Sequence, residues 1–412
     1  MLRVEGRIVQ HDGEFDGAIE INSETGLIER VGPMEGRSDV DAGGCLIFPG
    51  FGDVHIHARE DASGTQVYKE DFFSVSDAAL HGGVVQVADM PNNVVAPVDD
   101  ARYAAKELLT HKSVVQVTLY AGIGPGTSPL MRHVPYKAFM GPSVGDLFFT
   151  SQAQLEEAIA KYRGRNVSFH CEDPEILEAN KGAATHELKR PAEAEISATA
   201  FALYLIEKYE LVGKLCHYST RGGLQKILAA RARGVKVTCE VTPHHLFFDD
   251  SMITEENRLW LQMNPPLRGP EDRTALIAAL KNGDLDYIAT DHAPHTHAEK
   301  LKGASGVPHL DTYGAFAAWL MVEQGVSAQT VARVCSYNPG LFVREFLPRE
   351  SGKGFGRIEA GYSGSLTILD LNKPYVVTRE SVKTKCAWSP FEGYTLPGSV
   401  RWTVVKGKVY SA

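Results

Sequence analysis

No stretch of this 412-residue sequence approaches the roughly 18 consecutive apolar residues of a membrane-spanning helix, so a membrane protein is not expected. The opening MLRVEGRIVQHDGEFDG has no basic region followed by an apolar core; no secretory signal is read there, and a cytoplasmic protein is expected. Cysteine is sparse. Cys45, Cys171, Cys216, Cys239, Cys335 and Cys386 stand alone without a CxxC pair, which argues against a cysteine-built zinc site or a dithiol redox motif and favours buried, reduced thiols. Positive charge is in deficit: 42 Lys and Arg against 51 Asp and Glu leave a formal charge of -9, which argues against a polyanion-binding surface and against nucleic acid as a partner. Low-complexity segments and tandem repeats are also missing, apart from a strand–helix alternation.

What is present is ordinary globular composition, 43% hydrophobic and 23% charged, in a chain long enough for two or three domains or one large barrel with an appendage. The first fifty residues read as short strands (RVEGRIVQ, GAIEIN, GLIERVG, CLIFPG) broken by glycine and polar clusters. From Phe51 onward, eight short apolar runs alternate with helical stretches: FGDVHIH, VVQVADM, VVQVTLY, VPYKAFM, NVSFH, KLCHYS, VKVTCEVT and LDYIAT. Eight strand–helix units predict an α/β fold, a (β/α)8 TIM-like barrel over residues 51–348. After about Pro348 the strand texture returns in SLTILDL, YVVT, VRWTVVKG and KVYSA, so residues 1–50 and 349–412 are expected to form one small β-sandwich domain beside the barrel.

A barrel assembles its active site from the C-terminal ends of its strands. His55 and His57 lie two apart at such an end, so the strand period aims both imidazoles at one face. His170 closes NVSFH, His217 closes KLCH, and Asp291 follows LDYIAT. Four imidazoles and a carboxylate suit zinc or a similar divalent ion, and they are too many for one open tetrahedral site. Two ions would use them all but need a bridging carboxylate. Lys137, on the fourth run, is the unusual group available: a lysine in an interior strand is costly unless paired or deprotonated, and its free amine can react with carbon dioxide to form a carbamate. A snorkelling or salt-bridged Lys137 is the ordinary alternative.

The segments PGFGDVHIHAR, KAFMGPS, FHCED, CHYST, EVTPHHL, MNPPLR and ATDHAPH occur in the order seen in the cyclic amidohydrolases, and HxHxR, MPN, NPPLR and DHAPH together resemble the dihydroorotases. The resemblance runs from the first β-segment to SPFEGYTLPGSV. It implies a binuclear zinc site in which His55, His57, Lys137 and Asp291 surround the more buried ion, carboxylated Lys137, His170 and His217 hold the second, and a hydroxide bridges the pair. It further implies that Arg59, Asn92 and His295 bind a substrate carboxylate, with Asn264 a ring contact.

The implied reaction is the reversible cyclisation of N-carbamoyl-L-aspartate to L-dihydroorotate, with Asp291 as general base and then acid. The implied partners are a small-molecule substrate and further copies of the chain in a homo-oligomer, with association with aspartate transcarbamoylase as another implication. Two alternatives stay open: an allantoinase or hydantoinase, which needs no carboxylate clamp, and a non-catalytic dihydroorotase-like subunit that scaffolds aspartate transcarbamoylase. Two departures from the family pattern stand out, HARED in place of HxREPG and His309 in GASGVPHLDT where glycine is common. His244 and His245 are expected to be structural or to stand behind the ligands, Glu240 is expected to be structural, and the long segment 296–309 is expected to border the substrate and to move.

Overall fold

The computed structural model of the protein describes residues 1–141 and 147–411. Pro142 and Ser143 of KAFMGPS, and Ala412, lie outside the described residues. Four strands open the chain: β1 (Leu2–Gln10), β2 (Gly13–Ile21), β3 (Ile28–Gly32) and β4 (Val40–Pro49). Nine short ones follow: β5 (Phe51–Ile56), β6 (Val84–Asp89), β7 (Gln116–Leu119), β8 (Ala121–Ile123), β9 (Tyr136–Phe139), β10 (Asn166–His170), β11 (Val212–Leu215), β12 (Val237–Val241) and β13 (Tyr287–Ile288). Then come β14 (Leu366–Asp370), β15 (Tyr375–Val376), β16 (Thr395–Leu396), β17 (Ser399–Val405) and β18 (Lys408–Ser411).

Strands from both ends of the chain share one seven-stranded sheet, in the order β18-β17-β14-β4-β1-β2-β3. Alternation sets its inner face: Val4 and Ile8 of β1 are buried while Arg3 and Arg7 between and beside them reach carboxylates on β2. Ile19, Ile47, Leu366, Ile368 and Val404 join Val4 and Ile8 in an apolar cluster separate from the main core. YVVT departs from the expected terminal sheet, because Tyr375 and Val376 pair instead with Leu396 and Thr395 in a two-stranded ribbon.

The middle strands are parallel and almost wholly buried, as strands covered on both faces must be. One sheet runs β5-β6-β7 and the other β8-β9-β10-β11-β12-β13. β7 and β8 are separated only by Tyr120, so the third expected strand, VVQVTLY, runs on past its expected end, β7 pairing with β6 and the continuation β8 with β9. At the other edge Ile56 pairs in parallel with His292, just past β13, and the His57 N–H donates to the His292 carbonyl at 2.8 Å.

Helices leave the strand ends through side-chain caps. Asp173 caps Pro174–Asn180, Thr220 caps Arg221–Ala232 and Thr242 caps Pro243–Phe247, each accepting from a backbone N–H of the first turn. The Ala192–Lys208 helix buries Ala198, Ala202, Leu205 and Ile206 on one face, the stripe its sequence shows. The strands also carry buried charge. Lys106 pairs with Asp89 at 2.6 Å, and Lys214 pairs with Glu240. Such pairs are weak contributors to stability but strongly destabilising to break.

Candidate metal centre and substrate cavity

β5 delivers His55 from its last turn of pleat and His57 from just beyond it. Both rings aim Nε2 at the same oxygen, Asp291 Oδ1, at 3.1 and 2.9 Å. Asp291 follows β13 and sits at φ 51°, and His217 follows β11 at φ 41°, left-handed conformations unfavourable for residues with a Cβ. Arg59 shares that strain at φ 63°. Strain of this kind costs on the order of 1–3 kcal/mol per residue and gathers where function over-determines the backbone. His170 ends β10 and presents Nδ1 to His217 Nε2 at 2.8 Å.

The far-side ring nitrogens of His55, His57 and His170 are held. His55 Nδ1 contacts Oε1 of Glu240, whose Oε2 pairs with Lys214, and Glu240 Oε1 also accepts from the His217 backbone N–H at 3.1 Å. His57 Nδ1 contacts Asn92 Oδ1 at 2.7 Å, and His170 Nε2 contacts Glu172 Oε2 at 2.8 Å. Arg190 fixes Glu172 from behind at 2.7 Å. Histidines that ligate metals characteristically hand their second nitrogen to a carboxylate or carbonyl in this way.

Charge follows from the same contacts. Burial holds His57 down to about 3 and lowers His170 and His217 as well, so these rings stay neutral, the form in which imidazole binds metal. Burial also opposes protonation of His55, but Glu240 and Asp291 raise it well above its ordinary value. For Asp291 burial opposes ionisation, and His55 and His57 outweigh it, keeping the carboxyl well below the usual range.

Lys137 is fully buried on β9 beneath these groups, and among the described residues no carboxylate pairs with it; its amine donates to Cys216 Sγ at 2.8 Å. The snorkelling alternative therefore does not describe it. The donor set fits a divalent ion. His55, His57 and Asp291 offer atoms within 4.8 Å of one another, His170 and His217 converge beside them, and the His217 Nδ1 is buried without a partner among the described residues. His55, Cys216 and Glu240 also cluster, but His55 Nδ1, Glu240 and Lys214 engage one another there.

Above the donors lies a cavity of about 390 Å³, lined at its floor by His55, His57, His170, His217 and Asp291. Arg59, Asn92, Asn264 and His295 line it too, with Ala304, Ser305 and Gly306 of the 296–309 segment. Arg59 is 3% exposed; its Nε donates to the Pro294 carbonyl at 3.3 Å and Nη2 to His295 Nε2 at 3.2 Å. Burial and the Arg59 charge depress His295, so it stands as a neutral ring whose Nε2 accepts from Arg59. Asn264 Oδ1 is buried with no hydrogen-bond partner among the described residues, open to a donor from a ligand. Asn92 has a double placement, lining the cavity while bracing His57.

Both departures fall outside the cavity. Glu60 of HARED accepts from the Phe72 N–H and pairs with Lys112, and Asp61 accepts from Ser63 and Val95. His309 is fully buried against His244, Nε2 to Nδ1 at 3.0 Å, and does not line the cavity. His245 ties Thr242 to the Pro265 carbonyl, a structural part. Glu240 does more than brace the strand, since it orients His55. Glu172 and Cys216 received no role from the sequence, although Glu172 stands two residues after His170 in FHCED, close enough to have been considered as its partner.

The fold and this donor set define a class. A model of the amidohydrolase family matches residues 46–410, and the chain belongs to that family and is a hydrolase, with a divalent metal site implied. More particularly, it is similar to dihydroorotases. It is 34% identical to that of Thermococcus kodakarensis, covering 99% of this chain and 94% of the relative, and 33% identical to that of Pyrococcus furiosus, covering 98% and 91%. The dihydroorotase of Lactobacillus gasseri is 31% identical over 98% of this chain and 95% of its own. Among solved structures, an L-hydantoinase (dihydropyrimidinase) from Arthrobacter aurescens superposes with a TM-score of 0.90 at 24% identity, covering 100% of this chain and 96% of that one.

Proposed function

We propose that this protein is a dihydroorotase, interconverting N-carbamoyl-L-aspartate and L-dihydroorotate. The observation that carries the reading is the polarity of the cavity: a guanidinium, Arg59, among the groups that line it, and a cluster of metal donors at its floor. The substrate has the same polarity, a carboxylate beside a cyclic amide. Relatives named dihydroorotase at 31–34% identity along almost the whole chain support it.

His55, His57 and Asp291 would hold one divalent ion and His170 and His217 the other, with Lys137, as a carbamate, shared between them. When bound, such ions supply an activated water near neutral pH and a Lewis acid for the amide carbonyl. Arg59 has five N–H donors and spends two on Pro294 and His295, so three remain for the substrate carboxylate. Asn264 Oδ1 is placed to accept a ring N–H. Asp291, held ionised, takes the proton of the attacking water at its carboxylate and returns it to the departing ring nitrogen, acting as base and then acid.

The same reading makes residues 51–348 a (β/α)8 barrel and residues 1–50 with 349–412 its companion β domain. In its support, the strand order β5 to β13 returns to β5 through the Ile56–His292 bridge.

The test is ring opening of L-dihydroorotate by the zinc- and bicarbonate-supplied protein beside dihydrouracil, hydantoin and allantoin. Selective turnover of dihydroorotate is the expected result. Preference for an uncharged ring would transfer the reading to a hydantoinase or allantoinase, and failure on all four with metal bound would overturn it.

A further inference from the structure

Lys300 ends the short His297–Lys300 helix, and its side chain is fully buried with no carboxylate paired with it among the described residues. Instead Nζ donates to three backbone carbonyls, those of Gln262, Ala304 and Gly306, each at 2.9 Å. An ammonium has three N–H donors, and here each finds an acceptor. Burial pulls the amine down to about 7, and the carbonyl oxygens are what favours its protonated form.

The three acceptors come from two separate parts of the cavity wall. Gln262 lies two residues before Asn264, while Ala304 and Gly306 line the cavity themselves. The tie is reinforced around the lysine. The Gly306 N–H donates to the Gln262 carbonyl at 2.9 Å, and Gln262 Nε2 donates to the Gly303 carbonyl at 2.5 Å and to Ser305 Oγ at 3.1 Å. Gly306 has φ +134°, and a Cβ there would meet the Ala293 carbonyl at 2.7 Å, so this backbone is pressed against the chain between Asp291 and His295. Lys300 Nζ also lies 5.5 Å from the centre of the Trp388 ring, whose Nε1 donates to the His295 carbonyl at 2.7 Å. One cation thus touches the supports of Asn264, of residues 304–306 and of His295.

We propose that Lys300 is a positioning residue, whose buried ammonium clamps the Ala304–Gly306 backbone to the Asn264 segment and so fixes the cavity wall that receives the substrate ring. A methionine would fill the space without desolvating a charge, and it would leave three buried carbonyls without donors. The wall would then be free to shift, weakening ring binding while the donors at the floor stay in place. The identity of the ring rests on the dihydroorotase reading, whereas the clamp itself does not.

The experiment uses the full chain supplied with zinc and bicarbonate and compares wild type with Lys300→Met. KM for L-dihydroorotate is expected to rise about tenfold or more with kcat within about threefold, the signature of lost binding without lost chemistry. Amide hydrogen exchange at residues 303–307, measured without substrate, is expected to speed up by about tenfold or more, while peptides carrying His55 and His170 keep their protection. Unchanged KM and unchanged exchange would overturn the proposal, as would a fall in kcat alone. If wild type turns over a different cyclic amide, KM is read on that amide, and the exchange result still decides the clamp while the dihydroorotase reading fails separately. Should Lys300→Met not fold, Lys300→Gln, which keeps two N–H donors, carries both readouts.

Discussion

Replacing Arg59 with methionine removes the only guanidinium lining the cavity among the described residues while keeping much of the side chain's length. Arg59 is almost entirely buried, so a substrate carboxylate reaching it is screened little by water. Truncating one member of such a buried, hydrogen-bonded charge pair costs about 2–5 kcal/mol. At 1.4 kcal/mol per factor of ten, kcat/KM for L-dihydroorotate should fall by roughly 30- to 4,000-fold. Dihydrouracil shares the ring and lacks the carboxylate, so its kcat/KM should change by less than about tenfold, reflecting only the loss of the bonds to Pro294 and His295. Steady-state ring opening of both compounds, followed by ultraviolet absorbance at fixed zinc, separates the cases. Equal losses on the two substrates would refute the carboxylate clamp and reduce Arg59 to a structural brace for His295.

Three further outcomes follow from the same geometry. Asp291→Asn should lower kcat by roughly 10²–10⁴-fold, the usual reach of a general acid–base, while L-dihydroorotate still binds by calorimetry; turnover within tenfold of wild type would remove Asp291 from the proton path. Glu240→Gln loosens His55 and should weaken metal affinity by about 10–100-fold in a competitive chelator titration, and unaltered affinity would make that contact incidental. Burial works against the Glu299 carboxylate, but Lys69 and the Thr296 N–H hold it down to about 2. Its folded pKa lies below its unfolded one, so the stability it contributes is complete above about pH 4.5 and fades as pH falls toward 2. Thermal melts of wild type and Glu299→Gln should accordingly differ at pH 6 and converge near pH 2; a gap that persists in acid would contradict this.

The strand ends were readable because two signals coincide there. Period-two alternation locates a buried strand, and a histidine or aspartate at its C-terminal end interrupts an otherwise apolar run. His55, His57, His170, His217 and Asp291 were found in this way, and all line one cavity. The continuation past Tyr120 was not readable, because VVQVTLYAGIG carries no break in hydrophobicity where pairing passes from β6 to β9. The groups behind the ligands were harder still. Glu240 and Lys214 lie on neighbouring strands 26 residues apart, and only strand register brings them together. Lys300 in the sequence HAEKLKG is indistinguishable from a surface lysine until the three carbonyls around it are seen. The mobile loop expected over 296–309 borders the cavity through residues 304–306, and in this structure its backbone is tied down by that lysine.

The most direct test of the central claim counts metal and activity in the same samples. L-Dihydroorotate ring opening is measured on the protein as isolated, after exhaustive chelation, and after return of zinc with bicarbonate, with zinc per chain determined each time. Turnover is expected to disappear on chelation and to return in step with two ions per chain, and omitting bicarbonate is expected to slow the return by limiting Lys137 carboxylation. Full turnover in the chelated protein, or two bound ions with no turnover of dihydroorotate, would contradict the claim.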